Sequence, residues 1–152
     1  MALTRLNLKS DDLPSNSVVQ VAYATTNTQD GTNNTSSSSP TISALSVNIT
    51  PSSTSSKILL LVDIQSYVDG NGQSVYYNLY RDGTRITNGV NGNAARIYVT
   101  TQMVCSTSFS YVDSPSTTSQ VTYDVRFFVT AGTGYVSVNS GESQLTAMEI
   151  AG

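Results

Sequence analysis

Ten acidic residues, seven basic ones, a single cysteine and no histidine make up the ionisable chemistry of this chain apart from its tyrosines. Without histidine there is no Ser-His-Asp triad, no Cys-His dyad and no His-ligated zinc, and the commonest general base is missing. Cys105 has no second cysteine to pair with and sits in an alternating apolar stretch, where a thiol behaves as a small hydrophobe. Paired carboxylates remain as a route to catalysis, since glycoside hydrolysis needs two carboxyls about 5–10 Å apart. The candidates are Asp63, Asp113, Asp124, Glu142 and Glu149, and Glu142 falls in a turn beside Gly141. Asp69-Gly70-Asn71-Gly72 opens like a calcium loop, but Tyr80 stands where the twelfth-position glutamate belongs. A glycine–asparagine turn explains it better. The reading is therefore a protein that is not an enzyme, with no catalytic residue, cofactor or metal.

The charge pattern narrows the partners. Net charge is −3, and the two lysines and five arginines are spread singly from Arg5 to Arg126. No basic cluster offers itself to phosphates, so nucleic-acid binding is excluded. The longest apolar run, Ile58 to Val62, falls far short of the ~20 residues that span a bilayer, so no membrane insertion is expected. Met1 to Leu6 lacks the apolar core of a signal peptide, which implies synthesis in a reducing cytoplasm. Asn48-Ile49-Thr50 fits a glycosylation sequon by chance in a chain with 24 Ser and 20 Thr.

The elements that must position these residues are strands. Residues 1–17 have no clean period and read as an arm or docking tether; residues 18–152 read as one domain. Val19, Val21 and Tyr23 share one face of a first strand, and Thr26 to Pro40 is a polar low-complexity loop. Leu45, Val47 and Ile49 alternate with polar residues. Lys57 to Tyr67 is apolar enough to suggest a central strand buried on both faces. Asp82-Gly83 between two strand-like runs predicts a type I′ hairpin. Arg96 to Ser106 reads as one strand with Ile97, Val99, Met103 and Cys105 on one face, followed by Phe109, Tyr111 and Asp113. Val121 to Val129 is a long alternating strand, and Tyr135 to Asn139 and Leu145 to Ala151 complete the set. About eight to nine strands with no helical period predict an all-β, antiparallel, jelly-roll-like β-sandwich, with Leu60, Val62, Ile64, Val125 and Phe127 in its core.

Nine Tyr against three Phe and no Trp suit half-buried surfaces such as subunit interfaces and sugar-binding faces. Tyr76, Tyr80, Tyr98, Arg126 and Glu149 are the candidate interface residues. Glu149 shares a strand face with Leu145 and Ala147, so it lies either at a wet sheet edge or between subunits, where Arg126 or Arg81 would pair with it.

Several ordered blocks resemble a module of bacteriophage virion proteins, especially marine-phage fibre and appendage proteins. They are Ser17 to Val21, Ile49 to Leu59, Tyr80-Arg81-Asp82-Gly83, Asp113-Ser114-Pro115, Thr122-Tyr123 and Leu145 to Ile150. The resemblance implies a jelly-roll-like homotrimer on the virion surface without catalysis. It would be a fibre, knob or decoration serving host attachment or shell stability, joined to other virion proteins through the arm, with a host-surface glycan as a further partner. A capsid cement protein whose arm bridges capsid subunits, or a soluble carbohydrate-binding module, are the alternatives.

Overall fold

The computed structural model describes residues 13–69, 72–89 and 92–152. Among them run eleven strands: β1 (Val18–Thr26), β2 (Asp30–Thr32), β3 (Thr41–Ile49), β4 (Lys57–Asp69), β5 (Gln73–Arg81), β6 (Thr84–Arg85), β7 (Ala95–Val99), β8 (Met103–Asp113), β9 (Val121–Val129), β10 (Thr133–Val136) and β11 (Ser143–Ile150). They form two antiparallel sheets. The first has the order β1-β11-β4-β10-β2, with β8 on the other side of β4; the second has the order β3-β9-β5-β6, with β7 also against β5. This is the expected jelly-roll-like sandwich, with more strands than expected.

The extra strands have local causes. β2 lies inside the polar stretch Thr26 to Pro40 and pairs with β10 through its backbone, so it needs no apolar side chain. Gly31 permits the contact: a Cβ there would sit 2.7 Å from the Tyr135 ring. Arg96 to Ser106 is two strands rather than one. β7 pairs with β5 in the second sheet and β8 with β4 in the first, so the chain changes sheet between Val99 and Met103. Met103 is consequently exposed, while Val99 is buried. The Asp82-Gly83 turn forms as predicted, with φ of 48° and 78° joining Arg81 to Thr84.

The core fills the space between the inner faces. Ile58, Leu60, Val62, Ile64 and Val68 of β4 meet Val75, Tyr77 and Leu79 of β5 and Val121, Tyr123, Val125, Phe127 and Val129 of β9. Each such side chain contributes roughly 1.5–3 kcal/mol by leaving water. β4 is central, as expected, but it is buried on one face only: Leu59 and Leu61 alternate outward, and Leu61 is 39% exposed. In β1 the buried side is likewise the small one. Ala22 and Ala24 pack on the core while Val21 and Tyr23 face solvent. A register shift between Val18 and Gln20 breaks the alternation that grouped Val19 with them. Residues 1–12 of the expected arm lie outside the described residues. Asn16 and Ser17 belong to the domain, because Asn16 N–H donates to Ala151 O (2.8 Å) and Ala151 N–H to Ser17 O (2.9 Å).

Val125 is completely buried opposite the first sheet. Val125→Asp should bury an unpaired charge and abolish the cooperative thermal transition seen by circular dichroism. Leu60→Ala should keep the fold and cost about 2–5 kcal/mol in denaturant titration.

Candidate functional site

Two of the candidate catalytic carboxylates are brought into one row. Glu149 of β11 and Asp113 of β8 flank Ile58 of β4 on the inner face of the first sheet. Adjacent strands lie about 4.8 Å apart, so their backbones stand about 10 Å apart, near the spacing of an inverting hydrolase. The surroundings rule out that use. Glu149 is fully buried: its Oε1 accepts hydrogen bonds from Ser52 N–H (2.7 Å), Ser52 Oγ (2.6 Å) and Ser56 Oγ (2.7 Å), and its Oε2 from Gln20 Nε2 (2.6 Å). Burial pushes the Glu149 carboxyl up, but these donors outweigh it and hold the group below its ordinary value. Asp113 Oδ2 accepts from Arg81 Nη1 and from the Tyr123 hydroxyl, both at 2.7 Å. Burial, then the adjacent Asp113 carboxylate, raises the Tyr123 phenol, so it stays protonated as a donor. Burial works against the charge of Arg81, yet Asp113 keeps its guanidinium above its ordinary value.

Asp113 thus joins the two sheets, and Glu149 ties the first sheet to the loop that connects them. Arg81 and Tyr123 belong to the second sheet and Asp113 to the first. Ser52 and Ser56 sit in the loop by which the chain passes from β3 in one sheet to β4 in the other. The expectation that Glu149 lies at an edge or between subunits is corrected. β11 runs between β1 and β4, and the Ser52–Ser56 turn closes over the end of the sandwich. Neither arginine named as its partner reaches it; Arg81 pairs with Asp113 and Arg126 with Asp124. The sequence signal was the serine-rich run from Ser52 to Ser56, whose hydroxyls are donors to an anion as well as turn formers.

The other four candidate interface residues do come together, on the outer face of the second sheet. Tyr76 stacks on Phe128 (centroids 4.9 Å apart), and the Arg96 guanidinium lies over both Tyr76 (5.5 Å) and Tyr98 (5.2 Å). Arg126 lies 4.1 Å over the Tyr80 ring and is held by Asp124 at 2.6 Å. The arginines cover the rings, so Tyr76 and Tyr80 are buried within their own chain, whereas Tyr98 is 54% exposed. Cation–π contacts contribute about 0.5–1 kcal/mol where exposed, as over Tyr98, and up to about 2 kcal/mol where desolvated. Arg96 was not anticipated. Its role follows from register, because β7 places it opposite Tyr76.

Asp63 and Glu142 stand exposed. Cys105 is half-buried, and burial raises its thiol above the ordinary value, which makes it a poor nucleophile. Gly70 and Asn71 of the calcium-like stretch lie outside the described residues. Among the described residues no three His, Cys, Asp or Glu side chains cluster to hold a metal.

No protein-family model matches the chain, and no curated protein matches it in sequence. Its fold is similar to that in the crystal structure of the infectious bursal disease virus VP2 subviral particle: TM-score 0.53 and 16% identity over 88% of this chain and 33% of that one. The structure of the Gx strain of the same virus matches at TM-score 0.47 and 14% identity, over 90% of this chain and 39% of that one. The chain spans about a third of the length of the VP2 chain it matches.

Glu149→Gln would turn an amide N–H₂ toward a site built only of donors. It should cost about 2–4 kcal/mol in denaturant titration at neutral pH. Because the folded carboxyl titrates below its ordinary value of 4.5, its contribution is complete above that pH and disappears as pH falls through the folded value. The difference between wild type and variant should therefore shrink in acid.

Proposed function

We propose that this chain is a non-enzymatic structural protein of a virus particle, displayed on the surface as a homotrimer and serving host attachment or shell stability. The observation that carries the reading is how the buried charges are used. Glu149 and Asp113 are both spent on internal hydrogen bonds, Glu149 to the loop between the sheets and Asp113 to Arg81 and Tyr123 of the second sheet. A fold shared with a viral capsid protein supports it, as do the ordered sequence blocks that resemble a phage virion module. The low charge of the outer faces favours close packing of many identical copies, since few charges need be desolvated at each contact.

The trimer contact in this reading is the outer face of the second sheet around Tyr98. Arg96 lies over the Tyr76 and Tyr98 rings there, and weakly hydrated guanidinium groups are readily buried at interfaces. A reconstruction of the particle would place the protein on tail or capsid, and its absence from the particle would end the reading. In solution, light scattering at low micromolar concentration should give three times 16.1 kDa, about 48 kDa. Tyr98→Ser should leave the melting temperature nearly unchanged and shift this mass toward the monomer.

A further inference from the structure

The outer face of the first sheet carries an apolar band that no described residue covers. Val21, Met148, Leu59 and Val112 form one row across β1, β11, β4 and β8, and Tyr23, Thr146, Leu61 and Ser110 form the next. Val21 is 52%, Tyr23 68% and Val112 55% exposed. A contiguous apolar band of this kind marks a contact surface. Beside it lies a groove of about 480 Å³, lined by Leu61, Asp63, Ser108, Ser110, Gln144 and Thr146.

Two charged side chains bracket the band. Lys57 and Asp63 both point outward from β4, six residues apart, with Leu59 and Leu61 between them. Both are exposed, and neither belongs to the two ion pairs found among the described residues. The outward positions of the facing parts of β1, β11 and β8 carry no charge. The pattern is plus, apolar, apolar, minus along one strand, and it is complementary to itself when reversed.

The geometry points to a second copy of this chain as the occupant of this face. Two sheets stacked face to face lie about 10 Å apart with strands within about 30° of parallel. A two-fold axis in the contact plane can run along β4 or across it. Along β4, Lys57 would face Lys57 of the second copy and Asp63 would face Asp63, which is repulsive at both ends. Across β4, the strands run antiparallel: Lys57 of each copy faces Asp63 of the other, and Leu59 faces Leu61. The apolar row of each copy then lies toward the groove of the other. Burying the band supplies affinity, and the two charge pairs select the antiparallel arrangement. The contact is separate from the trimer surface proposed on the opposite sheet, so a trimer would carry three such faces, each free to join another copy.

Sedimentation equilibrium of the full chain, from low micromolar to several hundred micromolar at low salt, tests this. The mass should double if its low-concentration value is the monomer, and should rise past a single trimer toward larger assemblies if that value is the trimer, so failure here is distinguishable from failure of the trimer. Lys57→Glu and Asp63→Lys should each weaken the doubling about tenfold or more, because each reversal makes both junctions like-charged. An equimolar mixture of the two variants should regain it, since each junction in a mixed pair again joins opposite charges. Circular dichroism should show both variants folded, as both positions are on the surface. Absence of doubling, doubling indifferent to single reversals, or failure of the mixture to recover would each overturn the proposal. In those cases the face belongs to a different partner or a different pairing.

Discussion

A carboxylate taken out of water costs several kcal/mol unless its lone pairs are filled, and Glu149 is completely buried. The end of the sandwich is organised around meeting that demand. Ser52 and Ser56 must come from the loop between sheets, and Gln20 from the neighbouring strand β1. Gln20 also donates to Thr50 O at 2.7 Å, so one side chain ties the anion to the point where β3 ends. A loop of small polar residues would otherwise have many conformations; here the anion selects one. Asp113 does the same work two strands away with Arg81 and Tyr123.

Hydrophobic burial supplies most of the stabilisation but has no direction. Two flat apolar faces can slide, and a strand can shift by two residues and keep its inner face. Hydrogen bonds between the sheets remove that freedom. Besides the two carboxylates, the Ser66 hydroxyl of β4 meets the Tyr77 hydroxyl of β5 at 2.6 Å in the middle of the core. Ser43 in β3 donates to Val125 O at 2.7 Å near a register shift in the β3–β9 ladder, satisfying a carbonyl at the irregularity. Polar groups inside this sandwich therefore set its register.

The two outer faces are built differently. On the second sheet, arginines lie over tyrosines, burying Tyr76 and Tyr80 and leaving Tyr98 exposed. On the first, aliphatic side chains stand open between a lysine and an aspartate. A single small domain thus presents two surfaces of distinct chemistry on opposite sides, which suits a protein that contacts neighbours in more than one direction.

Local pattern was enough for the strands and the core. Alternation with period two identifies β3 and β9 and a continuous apolar run identifies β4, and Leu60, Val62, Ile64, Val125 and Phe127 are all buried as expected. Asp82-Gly83 identifies its own turn, because few dipeptides accept positive φ at both positions. The absence of histidine and the lone cysteine remove whole classes of chemistry on composition alone. Tertiary structure decided whatever depends on partners distant in sequence. β2 is held by backbone pairing to β10, about 100 residues away, and has no apolar pattern to reveal it. Alternation cannot show that the chain changes sheet between β7 and β8, since both strands keep period two. Nor can it tell which face of β1 is inward, because small alanines fit against the core where Val21 and Tyr23 do not. Glu149 shows the limit most clearly. Its type predicts a wet edge or a cationic partner, and only the fold brings three uncharged side chains from positions 93 to 129 residues away to replace water around it.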